Sequence, residues 1–185
     1  MIIGLTGTNA SGKDTVAEYL EKTMNFEHFS LSDELRRELV KREIPLFREN
    51  LIEIGTELRA REGNSTLAKR ALRNFKPGRN YVVTSIRHPA EVEELKKHGD
   101  FFMANVDAPA ELRFLRIQNR RRKGDPETLK KLLEMEKLES QTSGPGQQLG
   151  ECVKKADFTL VNDSDNLEGF YAKIKSMVME FMKKG

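Results

Sequence analysis

The stretch Gly7-Thr8-Asn9-Ala10-Ser11-Gly12-Lys13, followed directly by Asp14 and Thr15, decides how the rest of this chain is read. A short apolar run, residues 1–5, leads into it, and Asp14-Thr15-Val16-Ala17-Glu18-Tyr19-Leu20 reads as the start of a helix behind it. A strand, a glycine-bounded loop with a lysine, and a helix form the context in which a phosphate-binding loop operates. The glycines let the backbone curl so that successive N–H groups point inward. Those groups, the helix N-terminus and the Lys13 ammonium make a cradle for the β- and γ-phosphates of a nucleotide. The residue after the lysine is usually Ser or Thr, whose hydroxyl binds Mg²⁺. Asp14 stands there instead, which argues against a switch GTPase or a motor ATPase and suits a small-molecule kinase.

The totals bound the answer further. A chain of 185 residues suits one domain with a full core. With 37% hydrophobic and 33% charged residues it reads as globular, and no apolar run approaches the ~18–20 residues of a membrane span. The N-terminus runs straight into the phosphate loop without a basic region ahead of an apolar stretch, so no cleaved signal is expected. The single cysteine, Cys152, excludes an internal disulfide and a cysteine zinc site, and its apolar neighbours Leu149 and Val153 make it a buried structural thiol. These features predict a cytoplasmic protein. A net charge of +3, from 32 basic and 29 acidic residues, does not point to a nucleic-acid partner. His28, His88 and His98 lack metal-ligand spacing and read as surface or strand-edge residues.

Strands alternate with helices along the chain, the pattern of a parallel sheet covered on both faces. The predicted strands are 1–5, 26–31, 81–86, 101–106 and 158–162. Helices are predicted at 13–22, from Ser32 as N-cap to about 42, and at 49–62, 66–75, 88–98, 109–122, 127–140, 147–155 and 167–182. The fold class is thus a three-layer α/β domain with five parallel strands. It carries a helical insert at 34–75 and a second insert at 117–146.

Five segments could carry chemistry beyond the loop. Phe29-Ser-Leu-Ser-Asp-Glu-Leu-Arg-Arg37 stands at the C-terminal end of the second strand, where open α/β sheets bind ligands. Val82-Val-Thr-Ser-Ile-Arg87 puts an arginine just past a buried strand, suited to bidentate phosphate recognition. Arg113, Arg116 and Arg120 share one helix face ahead of the Gly124-Asp125-Pro126 turn, with Arg121, Arg122 and Lys123 between. Leu51 to Gly63 carries Arg59, and the tail of the last strand carries Asn162 and Asp163.

In their order these segments resemble the P-loop nucleoside and deoxynucleoside monophosphate kinases over nearly the whole chain. Gly-Lys-Asp-Thr is similar to the loop of phage-type deoxynucleoside monophosphate kinases, and by that resemblance Thr15 touches the α-phosphate while Asp14 holds Mg²⁺ through water. The segment from Phe29 resembles the Ser-Thr-Gly-Asp-x-x-Arg stretch of adenylate-kinase-type enzymes. That implies Asp33 near the metal waters and Arg36 on the acceptor phosphate. Arg87 is implied as a second acceptor ligand. In such kinases an Asp commonly precedes that arginine and organises the metal; here Thr84 and Ser85 occupy the place, with Asp14, Asp33 or Asp107 as substitutes. The arginine cluster resembles a mobile lid, with Arg116 and Arg120 neutralising the transferring phosphoryl group. Arg59 is implied in the acceptor pocket. The stretch from Gly144 to Asp163 resembles the closing part of dephospho-coenzyme A kinases, where the backbone after the last strand meets adenine, so Asn162 is a nucleotide-site candidate. The segments from Phe29, Leu51, Val82 and Gly146 also look like the kinase-like region of some deoxycytidylate deaminases, but no zinc deaminase pattern is present.

The implied activity is ATP- and Mg²⁺-dependent phosphoryl transfer to a small phosphorylated acceptor, first of all a (deoxy)nucleoside monophosphate. Dephospho-coenzyme A is the alternative acceptor. A nucleotide-binding regulatory or RNA-associated module with slow hydrolysis is the reading from another class.

Overall fold

Residues 1–121, 124–141 and 146–184 are described by a computed structural model. Arg122, Lys123 and positions 142–145, which belong to the expected lid and the turn behind it, lie outside the described residues. The elements run β1 (Ile2–Thr6), α1 (Lys13–Met24), β2 (Phe26–Ser30), α2 (Leu31–Lys41), α3 (Arg48–Glu62), α4 (Thr66–Leu72) and β3 (Asn80–Thr84). They continue with α5 (Pro89–Lys96), β4 (Phe101–Asp107), α6 (Ala110–Arg120), α7 (Leu129–Gln141), α8 (Leu149–Lys154), β5 (Phe158–Val161) and α9 (Leu167–Lys184). The strands form one sheet in the order β2-β3-β1-β4-β5, and every pairing is parallel.

Period-2 alternation builds the three layers. Ile3 and Leu5 of β1 face one way, into a cluster with Val16 and Leu20 of α1 and Ile174, Met177 and Phe181 of α9. Ile2, with Val83 and Met103 of the neighbouring strands, faces the other way, against Leu35, Leu58, Leu67, Val92 and Leu95 of α2 to α5. Strand β1 is buried along its whole length, which explains why it reads as a continuous apolar run rather than an alternating one. Cys152 belongs to the second cluster and is fully buried, as expected of a structural thiol. Burial pushes its thiol up to about 12, so it is neutral at physiological pH.

Three of the boundaries that differ from expectation do so for local reasons. Ser32 is not an N-cap. Helix α2 starts at Leu31, directly after β2, because the Ser32 hydroxyl is engaged by Arg36 and Ser30 instead. Strand β3 stops at Thr84, since Ser85 adopts φ +61°, a left-handed conformation that breaks the extended run. Helix α6 stops at Arg120, because Arg121 takes the left-handed cap conformation with φ +50°.

Candidate active site

The loop after β1 is held in its curled form by its glycines. Gly7 has φ +133°, and a Cβ there would lie 2.1 Å from the Val106 carbonyl oxygen. Gly12 has φ +107°, and a Cβ would lie 2.3 Å from Asn162 Nδ2. No side chain fits at either place. Lys13 Nζ folds over the loop and donates to the Gly7 carbonyl at 2.9 Å, to the Thr8 carbonyl and to Ser11 Oγ. Thr8 Oγ1 and Asn9 Nδ2 are buried with no hydrogen-bond partner among the described residues. Unsatisfied buried polar atoms are costly, so two orphans in a loop of this shape are what a phosphate-binding cradle presents before its ligand arrives.

A cavity of about 660 Å³ opens from the loop along the C-terminal edge of the sheet. Asn9, Ala10, Gly12, Lys13, Asp14 and Thr15 line it on one side. Asp33, Arg36, Arg87, Arg116, Arg120 and Asn162 reach it from four other segments of the chain. Every charged residue singled out from sequence as a first choice therefore meets in one place. Gly7, Thr8 and Ser11 do not line the cavity. Their carbonyls position Lys13 and accept from Asn162, and Ser11 is fully buried.

A second cavity of about 310 Å³ adjoins the first. Asn9, Ser32, Arg36, Ser85, Arg87 and Arg120 border both. Leu35, Leu46, Leu51, Ile52 and Leu67, from α2 through α4, give it an apolar side on which Arg48 and Arg59 also lie. The boundary between the two spaces is thus cationic, and the smaller one adds apolar surface beyond it.

The arginines that line the larger cavity are each held by partners. Arg36 pairs with Asp33 at 2.7 Å and also donates to Ser32 Oγ, with both members of the pair about half exposed. Arg120 forks onto Asp125 at 2.9 and 2.7 Å and reaches Asn9 Oδ1 at 3.2 Å. Arg116 donates to Asn162 Oδ1 at 3.1 Å and to the Ser164 carbonyl at 3.2 Å. Arg87 donates from Nη1 to Gln147 Oε1 at 3.0 Å. Its backbone is fixed on both sides: Glu91 Oε2 accepts from its N–H at 2.9 Å, and its carbonyl accepts from Gln148 N at 2.7 Å.

Glu91 is the residue that sequence reasoning missed. It is fully buried and accepts from Nε and Nη2 of Arg59 through one oxygen, and from the N–H groups of Arg87 and His88 through the other. The signal was present: His88, Pro89 and Glu91 have the spacing of a capping box with histidine as cap. His88 Nδ1 accepts from Ala90 N and the ring is 4% exposed, so His88 is a buried helix cap rather than a surface residue.

Three further residues named from sequence are fixed by partners of their own. Arg59 borders the smaller cavity but is 3% exposed, and its guanidinium is committed to Glu91, so it braces the wall of that cavity. Arg113 is buried, donates to the Ala108 carbonyl and pairs with Glu136, which ties α6 to α7 beneath the loop. The Asn162 side chain turns toward the loop, donating to the Ser11 carbonyl at 2.9 Å and accepting from Arg116, so it supports the cradle from behind.

The family model of the AAA domain matches residues 3–139. The UPF0200 protein of Aeropyrum pernix is 32% identical over 163 residues, covering 88% of this chain and 84% of that protein. The UPF0200 protein of Pyrococcus abyssi is 31% identical over 189 residues, covering 98% and 97%. The chain belongs to the AAA domain family and to the UPF0200 family. The UPF0200/UPF0201 protein of Archaeoglobus fulgidus, 32% identical over 188 residues, is longer, and this UPF0200 chain spans 56% of it. Among solved structures, a shikimate kinase from Acinetobacter baumannii in complex with shikimate superposes with TM-score 0.59 at 17% identity, covering 97% of this chain and 93% of that one. TT1252 from Thermus thermophilus gives 0.60 at 24%, covering 97% of each. The fold is that of the P-loop kinases, as the loop and the strand order require.

Among the described residues no three His, Cys, Asp or Glu side chains group as a metal site. That suits a hard cation held chiefly by phosphate oxygens and water, which needs only one or two carboxylates nearby. Asp14 and Asp33 line the same cavity and fit that role. No described helix is long and apolar enough to cross a membrane.

Proposed function

We propose that the chain transfers the γ-phosphoryl group of ATP to a small phosphorylated acceptor, first of all a (deoxy)nucleoside monophosphate. The observation that carries this is the shared cationic wall: Arg36, Arg87 and Arg120 border both the loop cavity and the smaller, half-apolar one. A donor triphosphate in the first and an acceptor phosphate in the second meet at those guanidinium groups. The residues 34–75 then serve as the acceptor-binding insert, and the region 117–146 as the lid.

In this reading Lys13 leaves the loop carbonyls and, with the loop N–H groups, holds the β- and γ-phosphates. Thr15 touches the α-phosphate. Asp14 and Asp33 would hold Mg²⁺ through its waters, and the ion would supply charge neutralisation to the phosphates. Arg36 and Arg87 orient the acceptor phosphate, whose ionised oxygen attacks the γ-phosphorus as the bond to the β-phosphate oxygen breaks. Arg116 and Arg120 neutralise the charge that spreads over the transferring group. An acceptor phosphate is already ionised at neutral pH, so no general base is needed, and positioning with charge does most of the work.

A second reading has one observation in its favour. Asp33 is half exposed on the cavity wall, and a hydroxyl acceptor such as dephospho-coenzyme A or shikimate needs a carboxylate base of that kind. The test is ADP formation from ATP and Mg²⁺ over ribo- and deoxynucleoside monophosphates, dephospho-coenzyme A and shikimate. Strong stimulation by one monophosphate supports the proposal and names its substrate. Stimulation by a hydroxyl acceptor alone replaces it with the second reading. ATP binding without stimulation by any acceptor, accompanied by salt-sensitive RNA binding, assigns the chain to the regulatory class.

A further inference from the structure

Thr84 and Ser85, where an acid was expected, lead into an arrangement that the proposed mechanism does not use. The Ser30, Ser32 and Ser85 hydroxyls form a ring at the end of β2 and β3, with Oγ–Oγ distances of 2.9, 3.0 and 3.4 Å. Thr84 stands behind it, 3% exposed, its Oγ1 2.8 Å from His28 Nε2. All three serines line the donor cavity, and Ser32 and Ser85 border the acceptor cavity as well. The ring therefore sits where the donor's terminal phosphate and the acceptor meet.

Its hydrogen bonding is polarised. Each hydroxyl has one proton and two lone pairs. Protons passed around the ring consume one lone pair on each oxygen, and Arg36 Nη1 donates to Ser32 Oγ at 2.7 Å. What is left toward the cavity is acceptor capacity on Ser30 and Ser85. A phosphate oxygen, itself an acceptor, gains nothing from such a surface. Water on a divalent cation does, because the metal makes its protons strong donors. Asp14 and Asp33 line the same cavity and supply negative charge, and the ring adds neutral acceptors beside them.

We propose that the Ser30–Ser32–Ser85 ring is an outer-sphere cradle for the hydrated divalent cation that accompanies the donor nucleotide, taking the place of a metal-organising carboxylate. This rests on the reading of the larger cavity as the ATP site. A neutral cradle orients the cation's waters without adding charge to it, so the cation is held mainly through the donor's phosphates.

The backbone supplies a gain-of-function test. Ser85 has φ +61°, and among residues with a side chain, Asn and Asp tolerate that conformation best. Ser85→Asp therefore fits without moving the chain and restores a carboxylate. The measurement is Mn²⁺ binding to the protein with the β,γ-imido analogue of ATP, read from the electron paramagnetic resonance of free Mn²⁺. Metal-free analogue binding is measured alongside. The Ser30→Ala/Ser85→Ala pair is expected to weaken Mn²⁺ binding by about tenfold, the usual scale for outer-sphere partners, with metal-free binding unchanged. Ser85→Asp is expected to tighten Mn²⁺ binding. Equal Mn²⁺ affinity in all three proteins overturns the cradle, as does a loss in the alanine pair matched by the same loss without metal. Wild-type protein that fails to bind the analogue at all overturns the ATP-site reading, and the cradle with it.

Discussion

Gly7 and Lys13 show how much of the site rests on single residues. The Lys13 ammonium donates to two loop carbonyls and a serine hydroxyl, and Gly7 keeps those carbonyls within reach by occupying a conformation closed to other residues. Gly7→Ala is expected to destabilise the protein by more than about 1 kcal/mol, because its Cβ meets backbone that cannot retreat. Nucleotide binding should fall with it, measured by denaturant unfolding beside titration with ATP. At this scale the sequence was informative wherever chemistry depends on residue type. The loop, Asp33, Arg36, Arg87, Arg116 and Arg120 were all legible and do converge. What the sequence could not give was which arginine is spent on structure. Arg59 and Arg113 look like Arg87 and Arg116 in one dimension, and only the carboxylates of Glu91 and Glu136 opposite them set them apart.

Between elements, the carboxylate of Glu91 joins α5 to α3 and to the turn that carries Arg87. Removing it leaves Arg59 buried and unpaired, with two backbone N–H groups unsatisfied. Glu91→Ala should therefore cost about 3–5 kcal/mol of stability, measured by urea unfolding. At protein concentrations where the variant is folded, acceptor affinity should drop more than ATP affinity, since Arg87 belongs to the acceptor wall. Equal losses for donor and acceptor would limit Glu91 to a structural role. The five strands and the helices were read from periodicity and turn residues because each segment advertises its own burial pattern. The exceptions have local causes: Ser85 and Arg121 take left-handed backbone that no apolar pattern encodes, and Ser32 prefers its neighbours' side chains to a capping position.

For the whole molecule, surface ion pairs set the acid limit and the buried thiol contributes to the alkaline one. Hydrogen bonds from Arg61 and then Arg70 hold the Glu62 carboxyl at about 2, against 4.5 without them. Glu57 is lowered by Arg42, Glu93 by Lys155, Glu94 by Lys97 and Asp163 by Lys173. Depressed carboxylates stabilise the fold fully above their unfolded values and lose that contribution as pH falls through the folded ones. Melting temperature should thus decline from about pH 4.5 toward pH 2, more gently at high salt because these pairs are exposed. Cys152, raised from 9.0 to about 12, acts in the opposite window: its contribution is complete below pH 9 and is lost as pH rises toward 12. At pH 8 the native thiol should resist iodoacetamide, and the unfolded chain should react. The central claim, that one site passes a phosphoryl group between two ligands, is tested most directly with ATP labelled in its γ-phosphate. Incubated with Mg²⁺ and a nucleoside monophosphate panel, the wild-type protein should move the label into a nucleoside diphosphate, and Lys13→Ala should slow that transfer by about a hundredfold or more. Label recovered only as inorganic phosphate, at a rate indifferent to every acceptor, would contradict the account.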